Sequence, residues 1–159
     1  MSELYDSDGI LLHDSKRLSK VGNFIRSLSL DELPTLLNII KGDMSLVGPR
    51  PMVTNTFSKY PEDAQKIINT IRPGLTGIGS IVFRDEEKLL DGREDPVGFY
   101  DKNITPHKAD LEVWFVKNYS LWLYFKVIFI TAWVIFFPSS YLLERVVNGL
   151  PKLPENLKN

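Results

Sequence analysis

Apolar residues recur at three- and four-residue spacing along most of the chain, which is typical of helices that bury one face. Apolar stripes at 18–25, 33–40 and 64–71 lie within helices predicted over about 16–26, 31–41 and 61–71. Further helices are predicted at 105–118, 121–137 and 141–147. Short apolar or glycine-punctuated stretches predict strands at 44–47 and near 78–84. A chain of 159 residues fits a single core. The pattern therefore predicts one compact α/β domain that is mainly helical, with a few short strands.

The helix at 33–40 begins beside two adjacent carboxylates. Ser29 and Glu32 have the spacing of a capping box, and Pro34 is tolerated only near a first turn, so the helix is expected to start close to Asp31. Asp31 and Glu32 then lie at the positive end of the helix dipole, which favours their ionised forms. Gly42 is expected to end the helix. The pair is either a helix cap or a reactive site, in which one carboxylate acts as nucleophile or metal ligand.

Arg50 follows the next predicted strand and stands between Pro49 and Pro51. Two prolines restrict the backbone on both sides, so the guanidinium is presented from a stiff support. It is either a phosphate clamp or a structural arginine that binds loop carbonyls. Three glycines between positions 74 and 79 lack the order and the βαβ context of a dinucleotide-binding loop, so that function is not predicted.

In the helix at 105–118, Thr105 and Pro106 are expected to form the start, as N-cap and first helical residue. Leu111, Phe115 and Val116 are expected to pack inward, with His107, Asp110, Trp114 and Lys117 on another face. Asp110 is either a surface charge or part of a polar site.

The run from Leu121 to Phe137 is apolar except at Tyr124, Lys126 and Thr131. It is shorter than the ~20 residues that a spanning helix usually needs, so an interfacial or core helix is expected in preference to a membrane span. Its tryptophans suit a membrane interface. The helix near residues 15–26 has a cationic face that is either solvated surface or a contact for anionic headgroups or a diphosphate. Amphipathic helices at a membrane surface are therefore predicted.

Composition narrows the chemistry. The net charge of −1 shows no basic field, so nucleic acid is not an expected partner. The chain has no cysteine and two histidines, which argues against thiolate or His-rich metal sites and leaves carboxylate ligands for a hard cation. The first residues are polar and acidic, unlike a signal peptide, so the chain is expected to start on the cytosolic side.

The segments SLDELPTLLNIIKGDMSLVGPRP (29–51), IRPGLTGIGS (71–80) and DLEVWFVKNYSLWLYFKVIF (110–129) resemble the bacterial sugar transferase family, the monotopic phosphoglycosyl transferases. The resemblance runs from about Arg17 to Thr131. It implies transfer of a sugar 1-phosphate from a UDP-sugar to a polyprenyl phosphate such as undecaprenyl phosphate, with release of UMP. This reaction initiates bacterial glycan assembly at the cytosolic face of the inner membrane.

The resemblance also implies residue roles. Asp31 would attack the β-phosphate, carry the phosphosugar covalently and bind Mg²⁺, with Glu32 as its partner. Arg50 would bind phosphate, and Arg26, Arg84 and Asp110 resemble charged positions of the active-site region. The sequence Val82-Phe83-Arg84-Asp85 differs from the one that is more common in the family, and a charged insertion follows it.

Family members begin with a hydrophobic re-entrant membrane helix, which the resemblance places before the position of Met1. The chain is therefore expected to be either a fragment of a longer enzyme or a truncated product. Residues 1–14 are expected to be a flexible leader, 15–148 the catalytic domain and 149–159 a polar tail. The alternatives are a non-catalytic remnant or interaction module of the same fold, and a magnesium-dependent hydrolase. The aromatic run would form a large apolar patch on a monomer, which a membrane, detergent or a second copy of the chain is expected to cover, so a homo-oligomer is one alternative.

Overall fold

The computed structural model describes residues 33–137, 140 and 142–157. By its internal contacts the chain divides into two units, residues 1–41 and 42–159. In the first unit the described part is helix α1, Leu33–Lys41. Gly42 follows it with a φ of 85°, a left-handed conformation that suits glycine, and the predicted end of this helix is confirmed.

The described part of the second unit is mainly helical, and the expected fold class is confirmed. Its strands are β1 (Ser45–Val47) and β2 (Gly74–Thr76). Its helices are α2 (Thr54–Phe57), α3 (Glu62–Ile68), α4 (Ile78–Val82), α5 (Glu86–Leu90), α6 (Pro96–Phe99), α7 (Thr105–Lys117), α8 (Leu121–Phe136) and α9 (Leu142–Val146). A π-helical turn, Tyr100–Ile104, leads into α7, and a 3₁₀ turn, Glu155–Leu157, lies near the C-terminus.

The strand predicted near 78–84 is wrong. The strand is β2, which pairs in parallel with β1 so that Ser45 lies opposite Gly74 and Val47 opposite Thr76. The chain then turns at Gly77 into α4, where Ile78 and Ile81 are both buried. Their three-residue spacing places both side chains on one face of a helical turn, whereas a strand would send them to opposite sides.

The predicted helix at 105–118 is confirmed as α7, but Thr105 is not its N-cap. Ile104 occupies that position, and the preceding π-helical turn continues directly into the helix. Because the helix has a helical predecessor, its first N–H groups need no side-chain cap. Leu111 and Phe115 are buried as expected.

The main core joins the short sheet to four of these helices. Its buried residues come from β1, α4, α7, α8, α9 and the C-terminal segment, and include Val47, Ile78, Leu111, Phe115, Val127, Ile130, Leu143 and Leu157. A second cluster, formed by Tyr60, Ala64, Ile68 and Ala109, joins α3 to α7. The inward face predicted for α3 is thus confirmed at Ala64 and Ile68. Helix α7 contributes to both clusters.

The polar residues of α8 attach the helix to its neighbours. The Tyr124 hydroxyl lies 3.0 Å from Ser45 Oγ of β1, and Thr131 Oγ1 lies 2.9 Å from Thr76 Oγ1 of β2. Lys126 Nζ donates to the Val146 carbonyl of α9 at 3.2 Å. Each interruption of the apolar run is therefore a contact that fixes the helix on the fold.

Within the part of the chain that the structure describes, no helix is long and apolar enough to cross a membrane. The leader at 1–14, the cationic helix at 15–26, the capping box, and Pro138 and Ser139 lie outside the described residues. The predicted domain boundaries stay predictions.

Candidate functional site

The loop that carries Arg50 is held through the two residues before it, Gly48 and Pro49. The Gly48 N–H donates to the Thr76 carbonyl, and the Pro49 carbonyl accepts from the Gly74 N–H, each at 2.9 Å. Gly48 and Pro49 are buried, whereas Arg50 is exposed. The backbone is therefore fixed while the guanidinium is left available, as the flanking prolines predict.

Glycines allow this loop to approach β2 and α4 closely. An ideal Cβ on Gly74 would lie 2.1 Å from the Gly48 nitrogen, and one on Gly77 would lie 2.3 Å from the Gly48 oxygen. Both separations are too short for any side chain. The glycines that superficially suggest a nucleotide loop therefore serve backbone packing beneath Arg50.

Arg50 and Arg84 line the same groove, which has a volume of about 540 Å³. It lies between β1, β2, α4 and α8, and most of its surface is apolar. The other lining residues are Leu46, Leu75, Thr76, Ser80, Ile81, Ile128, Thr131, Ala132, Val134 and Ile135. Two arginines that the sequence nominated as phosphate ligands thus meet at one apolar cleft.

The charge of the groove is positive, because its described lining residues include two arginines and no carboxylate. The positive charge of Arg84 is partly offset by Asp85, which does not line this groove, since Arg84 Nε lies 3.5 Å from Asp85 Oδ2. Ser80 Oγ is buried and has no hydrogen-bond partner among the described residues. The groove therefore combines cationic groups with an apolar floor, a combination that suits an anion attached to a hydrocarbon chain.

The groove opens beside an exposed apolar face of α8. Ile128, Thr131, Ala132 and Ile135 of α8 line the groove at helical spacing. The neighbouring face exposes Trp122, Phe125, Phe129, Trp133 and Phe136. The opposite face is buried through Leu123, Val127, Ile130 and Val134. Helix α8 is thus apolar on its core side and on its outer side.

Glu112 is a buried acidic residue that the sequence did not single out. Its side chain is 4% exposed, and Oε2 has no hydrogen-bond partner among the described residues. Burial raises the pKa of Glu112 to about 8, although the Arg50 N–H and the Lys108 charge act in the opposite direction. The signal in the sequence was the position of Glu112 between Leu111 and Phe115, two residues that are predicted to pack inward. A carboxylate there is unusual, because buried carboxylates are rare without a partner.

A polar cluster extends from Glu112 along α7. Lys108 binds the Glu86 carboxylate of α5 and lies 2.9 Å from the Tyr100 hydroxyl. Burial, and next the negative charge of Glu112, raise the pKa of Tyr60. The cluster therefore brings ionisable groups of several elements together around α7.

The remaining nominated residues are not brought to the groove by the described structure. Asp110 is exposed on α7 and lines neither described cavity, so its role in substrate binding stays a prediction. His107 is buried, so it does not share an open face with Asp110. Arg26, Asp31 and Glu32 lie outside the described residues. Among the residues that are described, no cluster of three or more His, Asp or Glu side chains could hold a metal ion.

A larger cavity of about 760 Å³ lies between α4, α5, α9 and the segment 147–153. Arg84 lines this cavity as well, but Arg50 does not. The lining of this cavity mixes the cations Arg84, Lys88 and Lys152 with the carboxylates of Asp85 and Glu144, whereas the described lining of the smaller groove has two arginines and no carboxylate. The smaller groove is therefore the better candidate for a phosphate group.

The chain is similar in sequence to known proteins over most of its length. The family model for bacterial sugar transferases matches residues 2–138. The chain is 40% identical over 132 residues to the uncharacterized sugar transferase EpsL of Bacillus subtilis. It is 39% identical over 124 residues to the undecaprenyl-phosphate galactose phosphotransferase of Salmonella typhimurium. It is 35% identical over 119 residues to the UDP-glucose:undecaprenyl-phosphate glucose-1-phosphate transferase of Escherichia coli.

These relatives are longer than the matched region. The alignment with the Bacillus protein covers 83% of this chain and 57% of the relative. The alignment with the Salmonella protein covers 78% of this chain and 22% of the relative, and the corresponding shares for the Escherichia protein are 73% and 23%. The similarity thus covers most of this chain and only part of each relative.

Proposed function

The chain belongs to the bacterial sugar transferase family, and from that premise we propose that it transfers a sugar 1-phosphate from a UDP-sugar to a polyprenyl phosphate, releasing UMP. Two relatives are named for undecaprenyl phosphate as the acceptor. One of these names also specifies UDP-glucose and glucose 1-phosphate. The proposal extends that chemistry to this chain without specifying the sugar.

The observation that carries the proposal is the convergence of Arg50 and Arg84 on one apolar groove. A polyprenyl phosphate has an anionic head and a long hydrocarbon tail, and the groove offers guanidinium groups beside apolar side chains. Guanidinium groups form charge-assisted hydrogen bonds with phosphate oxygens. The fixed backbone at Arg50 reduces the entropy lost when the phosphate binds.

The covalent step of the proposal rests on Asp31. Its carboxylate would attack the β-phosphorus of the UDP-sugar, forming an acyl phosphate to the sugar 1-phosphate while UMP leaves. The acceptor phosphate oxygen would then attack the same phosphorus, which releases Asp31 and forms the lipid diphosphate sugar. Glu32 would orient Asp31 or exchange protons with it. Arg26 would help to neutralise the negative charge of the UDP-sugar. Mg²⁺ at Asp31, when bound, would offset the charge of the diphosphate.

A membrane location is part of the same proposal, because a polyprenyl tail is insoluble in water. The exposed aromatic face of α8, which contains Trp122, Phe125, Phe129 and Phe136, would enter the interface at the cytosolic leaflet of the bacterial inner membrane. The groove lies on the adjacent face of the same helix. A lipid held in that leaflet could therefore place its phosphate at the arginines without leaving the membrane.

The proposal is tested by incubating the full chain with polyprenyl phosphate in detergent and UDP-sugars labelled in the sugar and in the β-phosphate. We expect both labels to enter the lipid with equimolar UMP release, and Asp31→Ala to abolish both. Label that enters the lipid equally well in Asp31→Ala would contradict the covalent route. UMP release without acceptor would favour a hydrolase, and a folded chain inactive with every donor would favour a non-catalytic module.

A further inference from the structure

We propose that the larger cavity, the space of about 760 Å³ between α4, α5, α9 and the segment 147–153, binds the nucleoside diphosphate part of the UDP-sugar. This inference rests on the proposed function, because it gives the second substrate of that reaction a place of its own. The cavity and the groove have two lining residues in common, Ile81 and Arg84. The two spaces therefore meet at one guanidinium group, with the diphosphate at the edge that the cavity shares with the groove.

The shared arginine suits a reaction between two phosphate groups. Transfer requires the donor diphosphate and the acceptor phosphate to come within reacting distance. Both groups are anions that repel each other, so a guanidinium between them lowers the cost of their approach. Among the described residues, the Arg84 guanidinium pairs through Nε with Asp85 at 3.5 Å, so its two terminal nitrogens are left for phosphate oxygens.

The polar lining of the cavity distinguishes it from the groove. Glu144 of α9 and Asn148 both line the cavity, four residues apart on a helical turn that the Val147 N–H continues by donating to the Leu143 carbonyl at 2.9 Å. A carboxylate accepts hydrogen bonds, and an amide both donates and accepts them, so the pair matches the hydroxyl groups and the uracil N–H of a sugar nucleotide. The described lining of the groove has neither a carboxylate nor an amide, which suits a hydrocarbon chain better.

The floor of the cavity is apolar and its rim carries cations. Leu111, Leu143 and Val147 line the cavity and are buried in the main core. Lys88 and Lys152 also line it, and Lys88 is paired with Asp85 at 3.2 Å, whereas Lys152 is exposed on the segment that follows α9. A planar base can pack on the apolar floor while the diphosphate stays near the cations, which is the usual composition of a small-molecule site.

The C-terminal wall of the cavity is held at both ends. Gly149 turns the chain after α9 with a φ of 81°. Leu157 is buried in the main core, and Asn156 Nδ2 donates to Asn103 Oδ1 at 2.7 Å. Leu150, which lines the cavity, lies between these anchors. A wall that is already ordered reduces the entropy lost when a ligand binds.

The first test measures the affinity of the full chain, in detergent with MgCl₂, for UDP and for inorganic pyrophosphate. Glu144→Ala should weaken the binding of UDP about fivefold, because an acceptor for hydroxyl groups is lost. It should leave pyrophosphate binding unchanged or slightly tighter, because a negative charge near the anion is removed. The control Glu62→Ala makes the same change at the exposed start of α3 and should alter neither affinity. Equal losses for the two probes in Glu144→Ala, or no loss for UDP, would overturn the proposal.

The second test separates the two spaces through the residue that they share. Arg84→Ala should weaken the binding of both UDP and polyprenyl phosphate, by about tenfold each, because it borders both ligands. Arg50→Ala should weaken only polyprenyl phosphate, and Asn148→Ala should weaken only UDP. UDP affinity that is lost in Arg50→Ala and retained in Asn148→Ala would place the nucleotide in the groove and overturn the proposal.

The two ligands also separate this inference from the function on which it rests. If polyprenyl phosphate neither binds nor reacts while UDP binding follows the expected pattern, the proposed function fails and the cavity remains a nucleotide site. If the folded wild type does not bind UDP, the inference fails, whatever the outcome for polyprenyl phosphate. Circular dichroism establishes that each variant is folded, and if Glu144→Ala is not, Asn148→Ala carries the comparison of UDP with pyrophosphate.

Discussion

The Glu112 carboxyl group occupies the space that a side chain at Gly79 would need. An ideal Cβ on Gly79 would lie 2.5 Å from Oε1 and 3.3 Å from Cδ of Glu112. The two residues belong to α4 and α7, and both are buried. Helix α4 also supplies Ser80 to the groove, so the contact joins the helix that lines the groove to α7.

Gly79→Ala should therefore destabilise the chain by about 1–3 kcal/mol, because the new methyl group meets a buried carboxyl group that cannot move into solvent. Chemical denaturation of the single variants and of Gly79→Ala/Glu112→Ala measures the coupling. In the Glu112→Ala background the cost of Gly79→Ala should be much smaller, since the obstructing atoms are gone. Equal costs in both backgrounds would show that the contact is unimportant.

The stability of the chain should depend on pH through Glu112. Its pKa is raised from 4.5 to about 8 by burial, so the folded state retains a proton that the unfolded chain releases. The free energy of unfolding should consequently fall as the pH rises between these two values, and the contribution of the neutral group is lost above the folded pKa. Urea unfolding on both sides of the window should show this fall in wild type.

Glu112→Gln supplies the matched comparison for that fall, because an amide does not titrate. Its free energy of unfolding should be much less sensitive to pH across the same window. The exposed change Glu62→Gln should leave the wild-type dependence intact. A Glu112→Gln variant with the wild-type slope would assign the dependence to another group.

Much of this architecture follows from local sequence signals. Gly42 ends α1 because a left-handed residue closes a helix, and the apolar run of α8 is recognisable from its length alone. Pro49 and Pro51 correctly indicate a constrained loop. In each of these cases the deciding interaction lies within a few residues along the chain.

The errors arose where distant residues decide. The stretch after Gly77 reads as a strand by composition, but β1 pairs only as far as Thr76, and the core selects a helical turn for Ile78 and Ile81. Glu112 reads as one more charge on a helix, and its burial becomes visible only when α4 packs against α7 at Gly79. The meeting of Arg50 and Arg84 likewise depends on tertiary packing.

The exposed aromatic face of α8 should bind lipid surfaces. Phe125→Ser/Phe129→Ser should reduce sedimentation with anionic phospholipid vesicles by about tenfold or more, because two large apolar side chains no longer enter the interface. Val53→Ser/Val97→Ser is the control, since both valines are exposed apolar residues away from α8. Equal losses in the two double variants would indicate nonspecific adsorption.

Arg50 and Arg84 are proposed to act together on the phosphate of a lipid. The direct measurement is the affinity of the full chain in detergent for a polyprenyl phosphate and for the matching polyprenol, compared among wild type, Arg50→Ala, Arg84→Ala and the exposed control Arg145→Ala. Wild type and the control should bind the phosphate form more tightly, by about tenfold or more, and each groove variant should lose most of that preference. Binding in which Arg50→Ala and Arg84→Ala retain the full preference for the phosphate would contradict the assignment of the groove.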